Sequence, residues 1–212
     1  GFHTYGYLRH FRSTVLRLLG IESHEAAISH DTGRTHLGVY PIGINAPKFE
    51  AELKSSRGER ARKQIRENFA GRRIVLSVER LDYTKGVPNR LDAIDYFLST
   101  YNDRDRLVFI FVSVPSRESV PEYRHLREQV QRQVGEINGR YATMVNSPIH
   151  FIYNPVKFEE LAALYSLADV CLVTPLIDGM NLVAKEYVAC QDENPGVLVL
   201  SEFAGAAQEL FN

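Results

Sequence analysis

The chain has 212 residues, 44% of them hydrophobic and 24% charged, with a formal net charge of −1. That length suits one large domain or two small ones with a true core, and the near-neutral charge argues against non-specific nucleic-acid binding. The absence of a signal peptide and of any apolar run of roughly 18 residues points away from a membrane and toward the cytoplasm. The chain opens at Gly1 without a Met and stops within a helical pattern at Asn212, so it reads as a piece of a longer protein.

Residues 5–20 alternate Tyr, Leu, Phe and Val with Arg and His at helical spacing and close on Gly20, predicting a helix. His3, just before it, is either a hydrogen-bonded loop histidine or an active-site group at a strand end; without a visible partner the first reading is preferred. Residues 21–36 are polar and hold His24, His30 and His36. Their spacing fits neither a metal-binding helix nor a zinc finger, so they are expected at the surface. Leu37–Ile44 predicts a short strand running into Gly43. Residues 47–70 form a highly charged helical stretch with few apolar anchors, suited to a surface helix or a domain connector.

From Arg73 the pattern becomes regular. Ile74–Val78 predicts a strand, and Val87, Leu91, Ile94, Leu98 and Tyr101 a helical stripe. Leu107–Val114 predicts a second strand, followed by a stripe at Val120, Tyr123, Leu126, Val130, Val134 and Ile137, with Ser119 and Glu122 as a capping box. Ile149–Tyr153 predicts a third strand, and Phe158, Leu161, Leu164 and Tyr165 mark a third helix. Val170–Val173 predicts a fourth strand, leading through Thr174–Gly179 into a helical pattern over Met180–Gln191. Val197–Leu200 predicts the fifth. Short apolar strands alternating with amphipathic helices imply an α/β fold with a doubly wound parallel sheet. Cys171 in a strand and Cys190 on a helix read as small buried residues, with neither a disulfide framework nor a metal cluster.

In open α/β sheets, ligands bind outside the carboxyl ends of the strands, so the loops there carry the chemistry. The loop Glu79–Gly86 places Arg80 and Lys85 at a strand-to-helix turn, suited to neutralising a diphosphate leaving group; the structural alternative is pairing with the nearby Asp82. Arg117 follows the second strand and is placed for a second anion, or for solvent or a nearby acid. Tyr153–Val156 is a turn that could line a nucleobase. Basic residues dominate positions 51–90, whereas Lys185 is the only Lys or Arg from 158 to 212.

The fourth loop is the most informative. Gly179 admits close backbone approach, Asp178 can accept from hydroxyls, and the amides at a helix start suit oxygen-rich or anionic ligands. Leu182, Val183, Tyr187 and Cys190 are expected on the inward face of the helix, and Glu186 shares it. A carboxylate there needs a partner, expected to be a ligand carrying hydroxyls; the alternative is an N-capping Asp178 and a Glu186 paired to a neighbour. Ser201–Ala207 is a small-residue turn into another helix, either bordering the same crevice or allowing close helix–sheet packing.

Five segments, in order, resemble trehalose-6-phosphate synthases: Arg80–Gly86, Val114–Glu118, Ile137–Arg140, Asp178–Tyr187 and Leu200–Ala207. The Asp178–Glu186 pair also resembles the spaced acids of retaining glycosyltransferases with two Rossmann-like domains. The resemblance implies glucosyl transfer from UDP-glucose to glucose 6-phosphate with retention, without a cofactor or bound metal. It assigns the donor diphosphate to Arg80 and Lys85 and the glucose hydroxyls to Asp178. The backbone at Gly179, Met180, Asn181, Leu182 and Val183 would line the donor sugar and phosphate. Glu186 would bind the uridine ribose, and Arg117 the phosphate of the acceptor. It further implies that residues 1–46 are the remnant of an N-terminal acceptor domain, 47–70 a connecting helix, and 71–212 an incomplete C-terminal nucleotide-sugar domain, in an assembly that admits a homo-oligomer. Two positions depart from the family pattern: Ile177 stands where many relatives have Arg, and Asn45 where many have Asp. A non-catalytic nucleotide-sugar-binding or regulatory module, and a relative joining cyclitol-type sugars, are the competing functional expectations.

Overall fold

A computed structural model describes residues 1–24, 26–101, 104–191 and 195–210. Helix α1 (Tyr5–Leu19) starts at Thr4, whose side chain accepts from the Tyr7 amide, and stops at Gly20 in the left-handed region. The polar stretch after it folds into a small antiparallel sheet, β1 (Ser23–His24), β2 (Ala27–His30) and β3 (Gly33–His36). Periodicity did not predict this sheet, because only Ala27 and Ile28 are buried while β3 is exposed throughout. His24, His30 and His36 are exposed, as expected. The strand expected over Leu37–Ile44 is reduced to one bridge between Val39 and Phe2; Pro41 lacks the amide that would continue it. Leu8, Ile28 and Leu37 close a small cluster of their own.

The charged stretch expected as one helix is two, α2 (Ala46–Leu53) and α3 (Ser56–Asn68). Ser55 starts the second by accepting from the Gly58 amide at 3.0 Å. Phe49 anchors α2 in the main core, 5.0 Å from Phe158 and 6.3 Å from Tyr165 between ring centres.

The remaining elements are β4 (Arg73–Arg80), α4 (Val87–Thr100), β5 (Leu107–Val114), α5 (Pro121–Tyr141), β6 (Ile149–Ile152), α6 (Phe158–Leu167), β7 (Val170–Val173), α7 (Leu182–Ala189) and β8 (Val197–Leu200). The five strands pair in parallel in the order β6-β5-β4-β7-β8, the doubly wound sheet expected. Alternation along each strand builds two apolar layers. Leu76, Val108, Ile110 and Val112 pack toward Tyr165 and Tyr187; Val75, Phe109 and Phe111 pack toward Leu91, Ile94 and Val130.

Three local expectations differ. Helix α5 has Val120 as its N-cap with no side-chain cap, so the Ser119–Glu122 box does not form; Pro121 supplies the helical φ at the first turn instead. Helix α7 begins at Leu182 rather than Met180, because Asn181 (φ 70°) caps it. The turn after β8 leads into a 3-10 turn, Gly205–Gln208, not an α-helix within the described residues. No described helix is long and apolar enough to cross a membrane.

Candidate functional site

Successive strands step outward from β4 through β5 to β6, and the chain then returns to place β7 on the other side of β4. The crevice of a doubly wound sheet opens at this reversal. The loop after β4 and the loop after β7 therefore meet there. Their backbones are tied directly: the amides of Leu176 and Ile177 both donate to the Thr84 carbonyl, at 2.8 and 3.3 Å. Gly86, at φ 65°, ends the short 3-10 turn Tyr83–Lys85 and opens α4, and a Cβ there would press on Leu176 and the Thr174 carbonyl.

This junction brings Lys85 Nζ to 2.5 Å from Asp178 Oδ2, with both side chains 14% exposed. Asn181 Nδ2 donates to the same oxygen at 3.0 Å. Asp178 is not the N-cap of α7; Asn181 is, accepting from the Ala184 amide at 3.2 Å. The left-handed residue of the loop is likewise Asn181, not Gly179. Gly179 faces His3: a Cβ there would lie 3.9 Å from the imidazole Cδ2. His3 is exposed and its Nδ1 is 3.4 Å from the Tyr40 carbonyl, so α1 and its leader border the site. The Tyr7 hydroxyl donates to the Asp178 carbonyl at 3.2 Å.

A cavity of about 390 Å³ spans these groups, with Arg80, Lys85, Asp178 and Asn181 toward one part and Leu182, Val183 and Glu186 on the α7 side. Arg80 is exposed at the carboxyl end of β4 and has no hydrogen-bond or ion-pair partner among the described residues. Met180 is buried, 4% exposed, and its amide donates to Asp178 Oδ1 at 3.4 Å. Glu186 does have a protein partner: the Tyr165 hydroxyl donates to its Oε2 at 2.9 Å. The need for a partner that its place on an apolar face implied is thus met at one oxygen by the protein itself.

Arg117 is not brought into the cavity lining. It sits at φ 46° after β5, with its guanidinium over the Tyr123 ring and Nη1 donating to the Tyr123 hydroxyl at 3.3 Å. That hydroxyl in turn donates to Asp82 Oδ2 at 2.9 Å. Partial burial alone would raise the Asp82 pKa, but the Thr84 amide and hydroxyl and the Tyr123 hydroxyl outweigh it, so the carboxyl stays below its ordinary value. Asp82 is thereby committed to shaping the Lys85 turn rather than neutralising Arg80.

Periodicity also missed a buried ion pair beneath the site. Arg90 Nη1 lies 2.6 Å from Glu79 Oε2, with side chains 4% and 5% exposed. The same guanidinium donates through Nε to Thr174 Oγ1 at 2.9 Å and through Nη2 to the Lys85 carbonyl at 3.0 Å. One side chain thus joins the sheet to both site loops. The only signal in sequence is that Arg90 falls on the inward stripe of α4, one residue before Leu91.

A larger cavity, about 590 Å³, lies on the α4 side and is lined mainly by apolar residues such as Ile94, Phe97 and Leu172; it lacks the cation–carboxylate chemistry of the first. Among the described residues no group of three or more His, Cys, Asp or Glu is arranged to hold a metal. Cys171 and Cys190 are free and buried, and burial pushes both thiols up to about 12.

The parallel sheet with its reversal at β4 and β7, a cation and a carboxylate joined across it and a second carboxylate lining the same cavity, defines a Rossmann-like α/β domain with its candidate site at the carboxyl ends of the strands. The chain belongs to glycosyltransferase family 20, whose model matches residues 1–212. It is 46% identical over 211 residues to the alpha,alpha-trehalose-phosphate synthase [UDP-forming] 56 kDa subunit of Saccharomyces cerevisiae, covering 99% of this chain and 43% of that relative. Its structure resembles the alpha,alpha-trehalose-phosphate synthase (UDP-forming) of Burkholderia xenovorans in complex with glucose-6-phosphate, with a TM-score of 0.93 and 37% identity over 99% of this chain and 48% of the other. It also resembles "Trehalose-6-phosphate from E. coli bound with UDP-2-fluoro glucose", with a TM-score of 0.92 and 36% identity over 100% of this chain and 47% of the other. The chain spans less than half the length of these relatives.

Proposed function

We propose that this chain supplies the nucleotide-sugar half of a retaining glucosyltransferase that moves glucose from UDP-glucose to glucose 6-phosphate, giving trehalose 6-phosphate and UDP. The observation that carries the reading is the Lys85–Asp178 contact at the sheet reversal, with Glu186 lining the same cavity. The relatives' names and the two ligand-bound structures support it.

In this reading Arg80 and Lys85 hold the departing diphosphate. An ammonium carries three donors, so Lys85 can keep one on Asp178 while another meets a phosphate oxygen. Asp178 takes glucose hydroxyls, and the backbone from Gly179 to Val183 lines sugar and phosphate, with the Leu182 and Val183 amides, first in α7, lacking intrahelical acceptors. Glu186 takes the ribose diol. Arg117, on the neighbouring strand's loop, is assigned the phosphate of the acceptor. Residues 1–46 then belong to the acceptor side and 71–212 to the donor side, with α2 and α3 between them.

The acceptor hydroxyl attacks on the face from which UDP leaves, and a phosphate oxygen of the leaving group takes its proton. The new C–O bond forms as the C–O bond to the diphosphate breaks. Catalysis is then mainly orientation and stabilisation of the diphosphate. The test is UDP release by the full-length protein. Release must require both substrates, and Lys85→Ala must slow it by about 10²-fold or more. Release independent of glucose 6-phosphate, or unchanged in that variant, would overturn the proposal.

A further inference from the structure

We propose that Tyr165 is a positioning residue that makes this site select ribose over deoxyribose, by holding the Glu186 carboxylate in one orientation. The inference rests on the reading of Glu186 as the ribose-binding group.

Tyr165 is fully buried on α6, 0% exposed, yet its hydroxyl reaches the cavity shared with Glu186. Phe49 packs against the ring, and the main-chain carbonyl of Tyr165 accepts from Gln191 Nε2 at 2.9 Å, tying this end of α6 to the end of α7. Its hydroxyl donates to Glu186 Oε2 at 2.9 Å. Glu186 Oε1 has no hydrogen-bond partner among the described residues. Tyr187 is a useful contrast. It lies in the same core and is equally buried, but its hydroxyl is satisfied by the Ala168 carbonyl at 3.0 Å. A phenol kept only for packing needs no more than such a carbonyl. Tyr165 spends its donor on the one carboxylate that α7 turns into the cavity.

The chemical consequence is selective. Burial, and then the Glu186 charge, keep the phenol protonated well above its ordinary range, so it remains a donor under all working conditions. A carboxylate fixed by that donor offers its remaining acceptor positions in set directions, which the hydroxyls of a ribose diol can meet. A ribose lacking a hydroxyl leaves a half-buried carboxylate oxygen unpaired, and a site built this way rejects such a ligand. An unanchored Glu186 would instead have to lose side-chain freedom on each binding event.

The experiment compares UDP with 2′-deoxy-UDP and 3′-deoxy-UDP by calorimetry on the full-length protein, as wild type, Tyr165→Phe and Glu186→Gln. Wild type should prefer the ribonucleotide by about tenfold or more, and Tyr165→Phe should reduce that preference to within about threefold with the thermal midpoint read alongside. If Tyr165→Phe fails to fold, 3-fluorotyrosine at position 165 replaces it: its more acidic hydroxyl should change the preference. A preference unchanged in the altered residue overturns the role of Tyr165. No preference in wild type, with UDP affinity unmoved in Glu186→Gln, overturns the ribose reading beneath it.

Discussion

Lys85 and Asp178 stand 93 positions apart in the chain and 2.5 Å apart in the fold. The contact exists because β4 and β7 are neighbours in the sheet, so the loops that follow them share one edge. Two residues in direct contact act as a unit, and their effects are not additive. Lys85→Met and Asp178→Asn should each lower kcat for UDP release by about 10²–10³-fold. The double variant should lose little more than the worse single variant, as measured by a full double-mutant cycle.

The Arg90–Glu79 pair lies below that contact and joins three segments. Removing one partner of a buried pair leaves an uncompensated charge, which costs about 3–5 kcal/mol. Arg90→Met should therefore lower stability by that amount in urea unfolding, and adding Glu79→Leu should recover part of it. Thr174→Val breaks only the 2.9 Å bond from Arg90 Nε. It should cost about 1 kcal/mol while lowering UDP affinity, because Thr174 begins the loop that presents Asp178.

Gly205 approaches the site loop from the far side. A Cβ there would lie 2.2 Å from the Gly179 carbonyl oxygen and 3.0 Å from Thr4, and the Gly205 amide donates to the Asp178 carbonyl at 3.1 Å. Gly205→Ala should push the Gly179 backbone out of place. UDP-glucose affinity should fall together with a loss of about 1–3 kcal/mol in stability, read by calorimetry and thermal unfolding. Gly179→Ala meets only His3 and should be much milder on stability.

The two thiols give a pH signature. Folded Cys171 and Cys190 hold their protons up to about 12, against an ordinary value of 9.0. Between those limits the unfolded chain releases protons that the folded chain keeps, so stability falls as pH rises. Their contribution should be flat below about pH 9 and decline above it. Replacing both by Ala should make the alkaline limb of the unfolding profile shallower without removing it, because burial also raises Tyr165 and Tyr187, and neither native thiol should react with a disulfide reagent at pH 8.

The parallel sheet was legible because its strands are continuous apolar runs. Leu107–Val114, Val170–Val173 and Val197–Leu200 fall where the pattern put them. The small sheet β1–β3 was not legible, since an exposed antiparallel hairpin with little buried surface has no clear alternation. The break between α2 and α3 was hidden for a related reason: a Ser55 cap inside a charged stretch interrupts no apolar period.

By itself the sequence determined that a cation-bearing turn follows one strand and a carboxylate-bearing turn another, because residue chemistry and periodicity are local properties. It also marked Glu186 as a polar residue out of place on an inward helix face. Only the tertiary structure decided which of these groups meet. Strand order set Lys85 on Asp178, and the packing of α6 against α7 gave Glu186 the Tyr165 hydroxyl. It also turned Arg117 onto Tyr123 and hid Arg90 beneath the loops. Contacts between distant segments depend on how the sheet is ordered, and no short window of residues carries that information.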